Sequence, residues 1–228
     1  RQHPAGRCSL ATPLRASSCL PSSAKARSDL KTTGAKARCW WGCSGGCTAP
    51  FCRRQVAQLG ITCEKLAAES VETLAIVNTQ EDRARQYFQY RPTRVLLAAD
   101  PDVRTHQAFG LQKIGIVPDD TSPSELQWPQ RTTMAILLAS RLNPEGLLPE
   151  PMNPFAGNDF LNKQDGFQLT EVDEQVFAAH PTQGTGFFLI DRDATIRWSF
   201  VEAMNRPAGL LNFPSVDEIL DAVRTLAG

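Results

Sequence analysis

From residue 50 onward the apolar residues keep helical or strand periods; before it they keep neither. Over 51–69, Phe51, Val56, Leu59, Cys63 and Leu66 recur at three- and four-residue steps between Arg53, Arg54, Gln58, Glu64 and Lys65. That spacing predicts a helix with Pro50 in its first turn, where the missing N–H is no loss. "VETLAIVNT" (71–79) predicts a buried strand, and "QEDRARQYFQY" a helix with Glu81 and Asp82 at the positive end of its dipole. "TRVLLAAD" (93–100) predicts a second strand, and "PDVRTHQAFGL" a short helix that Gly110 stops. "TGFFLIDRDATIRWSFVEA" divides into two strands, 186–191 and 195–201, about a polar turn at Asp191–Ala194. A last helix begins at Pro214 or Ser215 and sets Val216, Ile219, Leu220 and Val223 on one face. Residues 111–182 differ: they are proline-rich and of mixed polarity, with one apolar run, "TMAILLASRLNP". They are expected to form a loop-rich excursion holding one strand or short helix. Alternating strands and helices, then a hairpin and a closing helix, indicate an α/β sandwich around a mixed sheet.

Composition sharpens the break near residue 50. Residues 1–49 hold five of the seven cysteines, eight Lys/Arg and the single acid Asp29; residues 50–228 hold sixteen Lys/Arg, twenty-three acids, Cys52 and Cys63. The whole chain of 228 residues is formally neutral, which gives no reason to expect nucleic acid or an anionic membrane as the main partner. Without an apolar run of about 18 residues, no membrane-spanning helix is expected. The basic N-terminal stretch lacks a secretory apolar core. Together with the scarcity of cysteine after residue 50, this points to a reducing cytoplasm.

The order of elements, with "PFCRRQVAQL" opening the first long helix, "LAIVNTQEDRARQYF" after it, then "VLLAADPDVRTHQAFGL" and the hairpin "FFLIDRDATIRW", resembles the peroxiredoxin-like AhpC/TSA redoxins of the thioredoxin-like superfamily. The resemblance covers about 50–112 and 184–228. It implies a thioredoxin-like three-layer sandwich with a central mixed sheet and a long insertion, 111–182, before the C-terminal hairpin. It also implies a hydroperoxide or disulfide substrate, thioredoxin or glutathione as reductant, and no metal or organic cofactor, and it admits a homodimer. Redoxins of this kind carry a C-P-F-C motif. In it the first thiol sits at the helix N-terminus, where the dipole favours thiolate, and the second resolves the oxidised product. Cys52 holds the second position; the first, position 49, is Ala49. Pro50, Phe51 and Arg53 beside the motif, and Arg197 on the late hairpin, are the implied substrate-side residues.

The genetic code offers a reason for the missing cysteine. Read one base earlier, the codons of Cys39–Trp40–Trp41–Gly42 force leucine, valine and glycine, because tryptophan has a single codon. Thr48–Ala49–Pro50 then permits cysteine followed by proline, directly before Phe51–Cys52. The other frame can then spell "GPLLVGVFRGLYCPFC", a buried strand running into the motif. Residues 1–49 are therefore expected to be an anomalous, out-of-frame segment, and 50–228 the redoxin domain. As written, 35–47 is expected to form no regularly paired strand.

Other readings of the same residues remain open. Cys39, Cys43, Cys47 and Cys52 are separated by three, three and four intervening residues, close to structural zinc spacing but in one continuous run rather than two knuckles. Cys47 is the nearest substitute partner for Cys52 as the chain stands, although its offset does not reproduce the motif. Cys63 keeps the spacing of the apolar face and reads as core. Arg53 and Arg54 read as a solvated helix face as readily as a source of positive potential, and His106 and His180 as surface or loop residues. Gly184–Thr185–Gly186 stands where the superfamily keeps a cis-proline, which favours a peroxidase-like site over a groove for thiol substrates. Two functions follow: a thiol-dependent redoxin, or a catalytically dead thioredoxin fold used for protein contact. The residue at position 49 discriminates between them.

Overall fold

The structure, a computed structural model, describes residues 37–43, 49–90, 95–191, 195–202, 204 and 210–227; for 37–43, 86–90 and 227 it describes the backbone alone. Strand β1 (Ala37–Cys43) leads toward helix α1 (Pro50–Ala68), followed by β2 (Val71–Val77), α2 (Glu81–Tyr90), β3 (Leu96–Ala99) and α3 (Arg104–Ala108). The chain ends with β6 (Gly186–Asp191), β7 (Ile196–Val201) and α7 (Val216–Ala227). These strands form one sheet in the order β3-β2-β1-β6-β7. β1, β2 and β3 are parallel, β6 runs antiparallel to β1, and β7 antiparallel to β6.

The period of two along the strands explains the two faces of the sheet. Val71, Ala75 and Val77 of β2, Phe187 and Leu189 of β6, and Phe200 of β7 join one buried cluster. Val56, Leu59 and Leu66 of α1, Ala84 of α2, and Ile219, Leu220 and Val223 of α7 complete it. The alternate residues Ile76 and Phe188 meet Leu111 and Phe109 on the other face, just beyond α3. Gly110 has φ +73°, the left-handed conformation that ends α3. Before β6 the chain runs close against residue 112: a Cβ on Gly184 would lie 2.8 Å from the Gln112 carbonyl oxygen. A glycine is required there for contact, not for its dihedral freedom.

Two expectations are corrected. First, 35–47 does contain a regular strand. Ala37–Cys43 pairs residue for residue with Val71–Val77 on one side and, over Ala37–Gly42, with Gly186–Asp191 on the other. The ladder is made by backbone groups, and tryptophan is well suited to strands, so irregular apolar spacing does not prevent pairing. Cys47 lies outside the described residues, and of Cys39 and Cys43 in the zinc-like run only the backbone is described.

Second, 111–182 holds more than one strand or short helix. It contains β4 (Gly115–Val117) and β5 (Arg131–Thr133), which pair in parallel, then α4 (Met134–Ala139), α5 (Pro154–Asp165) and α6 (Glu171–Ala179). Capping carries these helices. Asn153 accepts from the Ala156 N–H with Pro154 in the first turn, Gly166 closes α5 at φ +63°, and Thr170 and Asp173 cap α6 reciprocally.

The insertion folds back over the start of α1. Phe51 packs with Leu148 and Leu161 in a small apolar cluster. Arg53 donates to Asn162 Oδ1 at 2.7 Å and to Asp165 Oδ2 at 3.0 Å, and Arg54 donates to both Asp165 oxygens. On the neighbouring helix, Arg83 donates to both oxygens of Asp173. The Arg53 and Arg83 guanidinium groups lie 4.2 and 5.0 Å from the Phe167 ring centroid. Arg53 is thus 3% exposed, not part of a solvated face.

Candidate functional site

Helix α1 begins at the wall of a cavity of about 380 Å³ between the sheet and the insertion. Ala49 is its N-cap residue, with φ −90° and ψ 110°, and offers no side-chain cap. A helix start leaves its first N–H groups without helical partners and carries partial positive charge. An anionic side chain at position 49 would meet both. Ala49, Phe51 and Cys52 all line the cavity. Cys52 is 2% exposed and stands at the third helical position. N-cap and third position are the pair whose side chains reach one another's backbone in a capping box, so chemistry begun at one is within reach of the other.

The remaining wall comes from residues that local sequence reasoning passed over. Asn78 follows β2; Asn158 and Asp159 project from α5, and Leu169 to Gln183 supply α6 and its flanks; Glu202 follows β7. Glu202 is a buried carboxyl that accepts from the Leu211 N–H at 2.8 Å and the Thr185 N–H at 3.2 Å. Burial pushes its pKa up despite those bonds, so the site contains a carboxyl inclined to keep its proton. His180 was expected to be a surface or loop residue. It is half-buried on the cavity wall, and burial, then the charge of Lys113, pulls its pKa down. His106 is also buried rather than exposed, 3.1 Å from Asp100 Oδ2. The signal for these residues was weak, because what brings them together is packing across more than a hundred residues of chain.

Of the residues expected from the sequence, Phe51 and Cys52 line the cavity together. Pro50 is buried in the first turn, Arg53 is turned to the insertion, and Arg197 is exposed on the hairpin, where it pairs with Asp191. Among the described residues no cluster of three or more His, Cys, Asp or Glu is arranged to hold a metal ion, and no helix is long and apolar enough to cross a membrane.

No family model and no curated protein matches the chain. Solved structures do. It is similar to the peroxidoxin BcpB from Mycobacterium tuberculosis, at 11% identity over 85% of this chain and 80% of that one, with a TM-score of 0.44. It is similar to peroxiredoxin Q from Xanthomonas campestris, at 10% identity over 85% and 81%, with a TM-score of 0.46. A DsbE thiol:disulfide interchange protein from Chlorobium tepidum matches at 13% identity over 86% and 84%, with a TM-score of 0.42. The sheet order and strand directions of this chain are thioredoxin-like. At these levels of similarity nothing about chemistry carries over, and it must follow from the residues of the site.

Proposed function

We propose that this chain is a thiol-dependent redoxin, acting on hydroperoxides or disulfides, whose attacking cysteine belongs at position 49. One observation carries the reading: position 49 is the N-cap of α1, held by a residue that offers no side-chain cap, and it shares a cavity wall with Cys52. A thiol there would be held toward thiolate by the helix start. With a hydroperoxide, that thiolate attacks the distal peroxide oxygen, the O–O bond breaks, and the alcohol leaves with a proton. The sulfenic acid then condenses with the Cys52 thiol, forming the disulfide and releasing water. A dithiol such as thioredoxin, or two glutathiones, reduces the disulfide and is itself oxidised. As part of the same reading, residues 1–49 are a frame-shifted translation whose other frame supplies this cysteine. The strand position of 37–43 is compatible with it, since that frame places an apolar run at the centre of the sheet. Sequencing the gene across codons 45–52 tests the frame: an unbroken frame encoding Cys39–Trp40–Trp41 as written overturns it.

Activity is tested without the gene. The chain as it stands should turn over hydroperoxide no faster than background in a coupled NADPH assay with thioredoxin or glutathione. Ala49→Cys should gain turnover, and adding Cys52→Ser to it should trap a sulfenic acid or an intermolecular adduct visible by mass spectrometry. Equal rates for the original chain and Ala49→Cys would remove the thiol at position 49 from the mechanism. A second reading, a redox-dead fold used for protein contact, is favoured by Ala49 itself; it predicts that Ala49→Cys gains nothing.

A further inference from the structure

The cavity beside Ala49 and Cys52 has a chemical character that the thiol step does not require. Its walls are largely apolar, and Phe177 and Leu169 stand half-exposed at its edge, each 51% accessible. Among the described residues, every titratable side chain on its lining, apart from the Cys52 thiol and the imidazole of His180, is a carboxyl: Asp159, Asp173, Glu174 and Glu202. Among the described residues no Lys or Arg lines it. Asp173 is neutralised by Arg83, whereas Asp159 and Glu174 are exposed. An anion entering here would meet two carboxylates with no Lys or Arg among the described residues of the wall to offset them.

Asn158 Oδ1 and His180 Nδ1 on the same wall are buried and have no hydrogen-bond partner among the described residues. The amide oxygen accepts, and Nδ1 of a neutral imidazole accepts in one of its two tautomers. Buried acceptors left unsatisfied cost roughly 1–3 kcal/mol each, which a hydrogen-bond donor on an occupant would recover.

We propose that this cavity binds a small organic molecule with an apolar, aromatic or branched body, a hydrogen-bond donor and no negative charge. That the molecule is the substrate rests on the redoxin reading; an uncharged organic hydroperoxide, whose O–O–H donates, meets all three conditions. That it binds at all does not depend on thiol chemistry. Glutathione, with its two carboxylates, is by the same criterion a poor occupant of the cavity, so a protein dithiol is the better-suited reductant.

Phenylnaphthylamine, neutral with an N–H donor, and anilinonaphthalene sulfonate, which adds an anionic group to the same body, separate the requirements. Titrated into the whole chain and followed by fluorescence, the neutral probe should bind about tenfold or more the tighter. Phe177→Ser should weaken it severalfold, and His180→Phe with Asn158→Leu should weaken it again. Asp159→Lys with Glu174→Lys should close the gap by strengthening the sulfonate. Equal affinity for the two probes, or neutral-probe binding unchanged by Phe177→Ser, overturns the proposal. In the Ala49→Cys chain the two ideas part. Reduction of hydrogen peroxide with no preference between the probes leaves the redoxin standing and removes this inference. A clear probe preference with no peroxide turnover does the reverse.

Discussion

Asp100 and Glu202 are both carboxyls that accept from backbone N–H groups, yet their pKa values move in opposite directions. Burial would raise Asp100, but the bond with His106 and those from the Thr105 and Arg104 N–H groups outweigh it and hold it below 3.8. Around Glu202 burial wins over two backbone donors, and the pKa rises above 4.5. The consequences for stability are opposite in sign. Asp100 contributes stability that is present above its unfolded value and lost as pH falls through its folded one. Glu202 contributes fully below its unfolded value and loses that contribution as pH rises through its folded one. Urea midpoints measured against pH should show both. Asp100→Asn leaves one backbone N–H without its acceptor, so at neutral pH it should cost roughly 1–3 kcal/mol, a cost that shrinks in acid. Glu202→Gln should flatten the decline in stability from mildly acidic to neutral pH, whatever its absolute cost. A Glu202→Gln curve parallel to that of the parent chain would mean that the carboxyl ionises freely in the folded state.

Helix α1 shows what kind of element a sequence reveals and what kind it hides. Its core face was legible because Val56, Leu59 and Leu66 repeat at helical steps and meet apolar strands. Strands β2, β3, β6 and β7 were legible from their apolar runs, whereas the central β1, whose tryptophans and glycines keep no apolar period, was not. The insertion was not, since α5 and α6 are held by caps and by ion pairs to distant residues rather than by a broad apolar stripe. The stop at Gly166 and the Thr170–Asp173 box stood in the sequence, but their partners Arg53 and Arg83 lie about a hundred residues away. The same distance hid Glu202 and His180 from the candidate site, whereas Cys52 was visible through its motif. Because Asp165 neutralises two guanidinium groups, of which Arg53 is buried, Asp165→Ala should cost about 3 kcal/mol or more by chemical denaturation. The loss should be little altered by moderate salt, since screening acts weakly on buried pairs. A cost under about 1 kcal/mol would place the pair with ordinary surface bridges.

At the scale of the whole molecule, the site exists only where the insertion is docked on the core: Ala49 and Cys52 form one side of the cavity, α5 and α6 another. Access to Cys52 should therefore follow undocking of the insertion rather than unfolding of the sheet. The molecule carries its own control in Cys63, further along α1 and half-buried with its sulfur against the Gly60 carbonyl. The arginine clamps, Arg53 and Arg54 on Asp165 and Arg83 on Asp173, cross from the core to the insertion and do not touch Cys63. Labelling with a maleimide, read residue by residue by peptide mass spectrometry, separates local from global opening. In the parent chain Cys63 should react faster than Cys52. Asp165→Ala with Arg83→Met should speed Cys52 by about tenfold or more while leaving Cys63 nearly unchanged, the mark of a local opening with a low free-energy cost. If both cysteines accelerated together, the insertion and the sheet would open as one cooperative unit, and the cavity would be a fixed feature of the fold rather than a docked one.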